Sequence, residues 1–148
     1  RLEMAINTAK RSGNKVAVMF IDLDGFKEIN DAHGHEAGDY ILQEVAVRMR
    51  NTIRNTDTAS RIGGDEFLII LPVLSNAAIA LETAQRLITA IAAPIPFLGN
   101  QLSVGLSIGI SIFPDNALDS HKLRTFADKA MYSVKRSGKN NVAVYKAG

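Results

Sequence analysis

The pattern of apolar and polar positions divides this chain into short elements. Residues 16–21 form a continuous apolar run, which is typical of a strand buried on both faces of a sheet. Residues 101–113 alternate between large apolar and small residues, and this alternation predicts a strand whose small face admits a helix or a ligand. Apolar residues recur at helical spacing in residues 38–51 and 76–92, which predicts two amphipathic helices.

Polar breaks, glycines and prolines delimit the remaining elements. These are a helix end at residues 2–10, a helix beginning near Phe26, a hairpin at residues 61–71 closed by Pro72, a helix at residues 121–135 and a last strand at residues 142–145. The predicted order is helix, strand, helix, helix, hairpin, helix, strand, helix, strand. A strand–helix–hairpin–helix–strand core predicts an α+β fold of the ferredoxin-like kind, with an antiparallel central sheet flanked by helices.

Composition narrows the classes of protein. The 148 residues are 47% hydrophobic and 22% charged, which is typical of a single globular domain spanning residues 1–148. The absence of cysteine excludes disulfides and thiolate metal sites. A net charge of +2 and an aromatic content of 6% argue against a nucleic-acid partner.

No apolar run is long enough to span a membrane, and no signal peptide is visible in the given sequence. We therefore expect this domain to be cytoplasmic, even if the full-length protein is anchored to a membrane. Because the sequence opens with Arg1 inside a helical pattern, we expect it to be a fragment of a larger multidomain protein. A covalently linked sensor or output domain would then lie outside it.

Acidic residues mark the tip of the predicted hairpin. Gly63 and Gly64 are expected to supply the positive φ angles of a tight turn, and Asp65 and Glu66 follow them. If the strand that ends at Asp22 neighbours this hairpin, several carboxylates converge, and a bound cation relieves their repulsion. Oxygen ligands without nearby His or Cys favour Mg²⁺ or Mn²⁺. The alternative interpretation of the strand end is a polar terminus followed by a helix cap.

A helix start adds a site for an anion. The helix near Gly25, Phe26 and Lys27 presents free backbone N–H groups and the positive end of its dipole. Metal-binding acids beside such a helix start suit a nucleoside triphosphate. Lys135 and Lys139 are further candidate phosphate contacts, with solvated lysines at a helix end as the alternative.

Together these segments resemble the GGDEF domain of diguanylate cyclases, which join two GTP molecules into cyclic di-GMP. The resemblance covers nearly the whole chain, in residues 20–31, 34–39, 61–67, 107–110, 127–135 and 138–140. Six stretches in the same order make chance a poor explanation. The resemblance implies a nucleotide-cyclase-like fold, Mg²⁺ (or Mn²⁺) as cofactor, GTP as substrate, and an antiparallel homodimer with the reaction at its interface.

The resemblance also implies roles for individual residues of the acidic end. Asp22 and Asp65 match the metal carboxylates, and the Leu23 carbonyl matches a further metal ligand. Glu66 matches a position that supports the metals or the nucleophile. Asp22, Asp65 and Glu66 are thereby the expected catalytic residues.

Other positions match the groups that hold the nucleotide. Asn30 and Asp39 match the guanine-binding positions, and a carboxylate accepts from a donor pair of guanine that adenine lacks. Without the resemblance, Asp39 would be interpreted as an acid at a helix start, where its negative charge interacts favourably with the helix dipole. The phosphate-binding positions are Gly25, Phe26, Lys27, Lys135 and Lys139. The last of these is commonly Arg in the family, so Lys139 keeps the charge but loses the bidentate fork.

An Arg-x-x-Asp motif precedes the hairpin. Its Arg54 and Asp57 resemble the family's inhibitory product site for cyclic di-GMP, because they stand at the matching distance from Gly63. Arg offers a fork to phosphate or to guanine edges, and Asp accepts from guanine. Arg86 is a third candidate for this site. The alternative interpretation of Arg54 and Asp57 is a surface ion pair.

Two rival functions remain open from the sequence. The first is a catalytically silent domain that senses GTP or cyclic di-GMP and regulates an attached phosphodiesterase domain. The second keeps only the fold, as a ferredoxin-like protein-interaction domain with accidental acids. The intact acids and glycines favour catalysis over both.

Overall fold

The structure is a computed structural model that describes residues 1–147. In this part of the chain the elements are α1 (Leu2–Ser12), β1 (Lys15–Asp24), α2 (Phe26–His33), α3 (His35–Thr52), β2 (Thr58–Arg61), β3 (Glu66–Leu74), α4 (Ala78–Ala92), β4 (Ile95–Phe97), β5 (Asn100–Leu102), β6 (Gly105–Phe113), α5 (Ser120–Arg136) and β7 (Asn141–Val144). None of these helices is both long and apolar enough to cross a membrane.

Five strands form the central sheet in the order β2-β3-β1-β6-β7. The pairings of β1 with β3, β1 with β6 and β2 with β3 are antiparallel, and β6 pairs with β7 in parallel. The predicted α+β fold with a mostly antiparallel, helix-flanked sheet is therefore confirmed. Because β1 is the central strand, its carboxyl end lies between the ends of β3 and β6.

Two layers of helices cover the sheet. Met19 and Ile21 of β1 pack with α2, α3 and α4 on one face, whereas Val16 and Val18 pack with α1 and α5 on the other. All four side chains are fully buried. The apolar run of β1 is thus buried on both faces, as its composition predicts.

The small-residue face of β6 receives helix α5. Ser107 and Ser111 are fully buried on this face. A Cβ built on Gly109 would overlap the Ala127 carbonyl oxygen and the Met131 amide nitrogen of α5. The helix backbone therefore packs directly on the strand, which confirms the expectation that small residues admit a helix here.

Some predicted boundaries are wrong. Strand β3 continues through Pro72 to Leu74, because the register between β1 and β3 shifts there and the proline is not required to donate. The predicted strand at 101–113 is interrupted, and its first residues belong to a separate hairpin of β4 and β5. Helix α3 begins at His35, three residues before the predicted start, because Gly34 alone breaks the chain direction.

Candidate functional site

The end of β1 meets the acidic hairpin. In the sheet register Asp22 lies opposite Glu66 on β3 and opposite Ser107 on β6. The Leu23 amide donates a hydrogen bond of 3.0 Å to the Asp65 carbonyl oxygen, beyond the last ladder pair. Three of the acids that the sequence singled out thus converge at one end of the sheet, although more than 40 residues separate Asp22 from Asp65 and Glu66 along the chain.

The hairpin tip differs from the expected tight turn. Neither Gly63 nor Gly64 has a positive φ, so the prediction about these two angles is wrong. The reversal is spread over four residues, closed by a 2.9 Å hydrogen bond from the Ile62 amide to the Glu66 carbonyl. Arg61 Nε donates to the carbonyls of both glycines at 3.0 and 3.1 Å, which stabilises the wider loop.

Opposing electrostatic effects act on the Asp22 carboxylate. Its Oδ2 lies 2.9 Å from Lys135 Nζ, while its Oδ1 is buried and has no hydrogen-bond partner in the described chain. Burial raises the pKa of Asp22, the contact with Lys135 opposes this, and the neighbouring Asp65 carboxylate raises it again. A buried acceptor without a donor, next to a second carboxylate, fits a cation-binding role.

The donor set at this end is small. Among residues 1–147, three or more side chains of His, Cys, Asp or Glu are nowhere gathered into a ready metal cluster. The carboxylates of Asp22 and Asp65, together with a backbone oxygen such as the Leu23 carbonyl, are the candidate protein ligands. That set suits Mg²⁺, which is commonly held by one or two carboxylates and completed by phosphate oxygens and water.

A second acid of β1 lies in a network that the sequence reasoning missed. Asp24 is 9% exposed and accepts from Ser107 Oγ at 2.9 Å, from Lys135 Nζ at 2.9 Å and from the Asn140 amide at 2.8 Å. The available signal was its place two residues after Asp22, which puts both side chains on the same face of the strand. No local pattern connects it with the distant Asn140.

Lys135 is the cation of this network. Burial by itself lowers the pKa of Lys135, but its contacts with Asp22 and Asp24 outweigh burial and raise the pKa above its ordinary value. The ammonium group is therefore firmly charged and lies between two carboxylates. The alternative of a solvated lysine does not describe it, whereas Lys139 is exposed in the turn that follows α5.

The start of α2 turns sharply away from β1. Gly25 has a φ of 86°, which a glycine adopts without strain, and this lets a helix begin directly after the strand. Within the described chain no side chain caps this helix end, so its first amides stay free. Phe26 is buried in the core and anchors the turn, while Lys27 is exposed.

The two residues expected at guanine lie near the junction of α2 and α3. A Cβ built on Gly38 would overlap Asn30 Oδ1 and lie 2.8 Å from its Cγ, so the absent side chain creates the space that Asn30 fills. Asn30 Oδ1 is buried without a hydrogen-bond partner in the described residues. Asp39 follows Gly38 directly and is exposed. Asn30 thus lies beside Gly38, the residue that directly precedes Asp39.

The Arg-x-x-Asp motif forms a closed pair. Arg54 donates from its amide, Nε and Nη2 to the Asp57 carboxylate at 2.9 to 3.1 Å, and from Nη2 to the Val73 carbonyl at 3.0 Å. The Asp57 side chain is 1% exposed, and that of Arg54 is 47% exposed. Arg86 Nη2 donates separately to the Thr52 carbonyl at 2.8 Å.

A mostly antiparallel sheet carries acids at the end of its central strand, beside a charged lysine and a helix start that no described side chain caps. These features define an α+β domain of the nucleotide-cyclase-like class. The family model described as "Diguanylate cyclase, GGDEF domain" matches residues 1–141. The chain therefore belongs to the GGDEF-domain family.

Two curated relatives come from Pseudomonas aeruginosa. The bifunctional diguanylate cyclase/cyclic di-GMP phosphodiesterase MucR is 40% identical over 147 residues, which cover 99% of this chain and 21% of that protein. The diguanylate cyclase TpbB is 42% identical over 142 residues, which cover 95% of this chain and 33% of that protein. The chain thus spans a third or less of the length of these relatives.

Solved structures share the fold closely. The GGDEF domain of TpbB, also called YfiN, has a TM-score of 0.97 and 40% identity, with 100% of this chain and 92% of that chain covered. The GGDEF domain of DgcB from Caulobacter crescentus, solved in complex with c-di-GMP, has a TM-score of 0.86 and 26% identity, with 97% of this chain and 85% of that chain covered.

Proposed function

We propose that this domain is a diguanylate cyclase that converts two GTP molecules into cyclic di-GMP and two pyrophosphates. The observation that carries the proposal is the meeting of Asp22 with the hairpin acids Asp65 and Glu66, where the buried Asp22 Oδ1 has no hydrogen-bond partner among residues 1–147. Family membership and the activities named for MucR and TpbB support the same reaction.

The acidic end holds the divalent cation in this proposal. Asp22, Asp65 and the Leu23 carbonyl are its protein ligands. When bound, Mg²⁺ or Mn²⁺ neutralises charge on the phosphates and acidifies the attacking hydroxyl. Glu66 lies opposite Asp22 in the sheet, and its carboxylate supports the cation or accepts the proton of the hydroxyl.

Protein groups around the cation position the triphosphate. The free amides at Gly25, Phe26 and Lys27 donate to phosphate oxygens at the helix start. Lys135 and Lys139 add two positive charges. With a cation bound at Asp22, the Lys135 ammonium would be available to contact a phosphate oxygen.

Asn30 and Asp39 select guanine. Their oxygen acceptors match the ring N–H and exocyclic amine of guanine, a donor pair that adenine does not offer. The buried Asn30 Oδ1 supports this role, because a ligand donor would satisfy an otherwise unpaired group. Binding of ATP would leave that group unpaired and is expected to be much weaker.

The reaction needs two domains. The 3′-hydroxyl oxygen of one GTP forms a bond to the α-phosphorus of the other, its proton leaves, and the bond from that phosphorus to the pyrophosphate oxygen breaks. A reciprocal step closes the ring. Because each domain holds one GTP, the active species is an antiparallel homodimer with the two sites face to face.

Product inhibition is the regulatory part of the proposal. Arg54 and Asp57, with Arg86 as a third contact, would bind cyclic di-GMP away from the catalytic end. Arg54 keeps 47% of its side chain exposed although it pairs with Asp57, so part of its guanidinium remains accessible to a ligand. The DgcB structure contains c-di-GMP, which supports binding of this ligand by the family.

Incubation with GTP and Mg²⁺ tests the proposal. Pyrophosphate and cyclic di-GMP should appear in a ratio of two to one, and the specific activity should rise with protein concentration as dimers form. Asp65→Ala should abolish both products. Asp115→Ala is the matched control, since Asp115 pairs with Lys15 at the opposite end of β1. Turnover by Asp65→Ala at the wild-type rate would overturn the metal-site assignment.

The alternative is a catalytically silent domain that senses GTP or cyclic di-GMP for an attached phosphodiesterase domain. It is favoured by the name of another relative, the cyclic di-GMP phosphodiesterase PdeR of Escherichia coli, which is 34% identical over 144 residues and whose name gives no cyclase activity. The two functions are distinguished by one outcome. GTP binding without turnover in a verified dimer decides for sensing, whereas turnover decides for synthesis.

A further inference from the structure

Asp24 has no part in the reaction proposed above, yet it is the most completely bonded acid of the site. It accepts from Ser107 Oγ, Lys135 Nζ and the Asn140 amide, at 2.8 to 2.9 Å. Its partners come from β6, from α5 and from the turn after α5. One carboxylate thus joins the metal-binding strand to the segment that carries both candidate phosphate lysines.

The turn that follows α5 is strained. Lys139 and Asn140 have φ angles of 65° and 48°, and this left-handed conformation is unfavourable for lysine, whereas asparagine tolerates it better. The Asn140 amide donates to Asp24, and Asn140 Oδ1 accepts from the Leu106 amide at 3.3 Å. The Lys139 amide donates to the Val134 carbonyl at 3.0 Å. Asp24 therefore helps to hold a backbone conformation that the sequence alone disfavours.

Lys135 contacts two acids, Asp22 and Asp24, that differ in their capacity to bind a further ligand. Asp22 has a buried oxygen that no group in the described part of the chain contacts by a hydrogen bond, and it is the proposed cation ligand, so its contact with Lys135 would compete with the metal. Asp24 is surrounded by donors, which leaves it little capacity for a further ligand. When a cation takes Asp22, Asp24 is the contact that keeps the ammonium beside the triphosphate.

We propose that Asp24 is a positioning residue that fixes Lys135 directly, and Lys139 through the turn at Asn140, for binding the triphosphate of GTP. This inference rests on the proposed function. It assigns Asp24 no contact with the substrate and no place among the metal ligands. Its consequence is specific, since loss of Asp24 should weaken the hold on phosphates and leave the hold on guanine intact.

Asp24→Asn is the sharpest test, because it preserves shape but replaces one acceptor oxygen by an N–H₂ donor. Either orientation of the amide sets that donor against Lys135 Nζ or the Asn140 amide, while the Ser107 hydroxyl can turn to accept. Binding is measured with 3′-deoxy-GTP, which lacks the attacking hydroxyl and does not react, and with guanosine, which lacks phosphates. Mg²⁺ is present throughout.

We expect Asp24→Asn to weaken the binding of 3′-deoxy-GTP by about tenfold and the binding of guanosine by less than about twofold. In a Lys135→Met background the same substitution should weaken 3′-deoxy-GTP by clearly less than tenfold, because the two residues act together. Asp115→Asn is the control, since Asp115 also pairs with a lysine but at the other end of β1.

The possible failures are distinguishable. If wild-type protein does not bind 3′-deoxy-GTP, the proposed function fails. If it binds but Asp24→Asn has unchanged affinity, or weakens guanosine as much as the triphosphate, only the positioning role is overturned. Should Asp24→Asn not fold, Ser107→Ala removes a single neutral donor from Asp24, and it should still weaken the triphosphate selectively by about two- to threefold. Equal effects on both ligands would contradict the inference.

Discussion

Two aspartates of this domain are paired with a cation and stand in opposite situations. Asp57 accepts three hydrogen bonds from Arg54, and its side chain is 1% exposed. Asp22 contacts Lys135 through one oxygen, keeps the other buried without a partner, and is crowded by Asp65. The first pair is closed, whereas the second has capacity for a ligand.

The difference separates stability from function. A closed, charge-assisted pair stabilises the fold at the segment before the hairpin, and a ligand must share or displace Arg54 to engage it. A carboxylate with an unpaired oxygen costs stability in the metal-free protein, and a cation would recover that cost. The same residue type thus serves structure at one end of the hairpin and is available for chemistry at the other.

The largest effect is expected for Asp22→Asn. Turnover should fall by about a thousandfold, because a neutral amide is a poor ligand for the cation. The metal-free variant should be at least as stable at pH 7 as the wild type. The pKa of Asp22 is raised in the folded protein, so the ionised carboxylate disfavours folding. The stability that Asp22 contributes to the wild type at low pH is therefore lost as the pH rises through that pKa. Turnover assays and thermal unfolding in chelator measure both, and a marked destabilisation at pH 7 would contradict the account.

Asp57→Asn should show the reverse pattern. Loss of the charge and of one acceptor oxygen is expected to destabilise the domain by about 1–3 kcal/mol, with turnover retained and inhibition by cyclic di-GMP weakened. Urea unfolding and turnover against added cyclic di-GMP measure these effects. Asp115→Asn, at an exposed ion pair with Lys15, is the control and should cost less than about 1 kcal/mol. An equal cost at both sites would erase the distinction drawn here.

The smallest effect is expected for Lys139→Arg. An arginine restores the bidentate fork that is common at this position in the family and should lower the KM for GTP by no more than about threefold. The kcat should not change, because the lysine is exposed and makes no contact with the acids that would hold the cation. Lys10→Arg on α1 is the control. A loss of activity in Lys139→Arg would show that the position needs a compact charge.

Much of the fold follows from patterns within single segments. The apolar run of β1 and the small face of β6 predicted a buried central strand and a closely packed helix, and both are present. The approach of Asp22 to the hairpin followed from the expected sheet order. The β4–β5 hairpin did not, because Pro94 and Pro96 indicated a helix stop and each strand has only three residues.

Contacts between distant segments account for the part of the site that could not be predicted. Asp24 and Asn140 are 116 residues apart and join only because α5 returns the chain to the end of β1. The backbone angles of Gly63 and Gly64 depend on hydrogen bonds from Arg61, which local glycine propensity does not encode. The sequence therefore indicated candidate residues for the chemistry, and the tertiary structure shows which residues hold them in place.

The most direct test of the central claim is a crystal structure with 3′-deoxy-GTP and Mn²⁺, with the metal located by its anomalous scattering. The account predicts one or more Mn²⁺ ions bound by the Asp22 and Asp65 carboxylates and by phosphate oxygens, with the guanine beside Asn30 and Asp39. Manganese bound away from both carboxylates, or a nucleotide seated elsewhere on the domain, would contradict it.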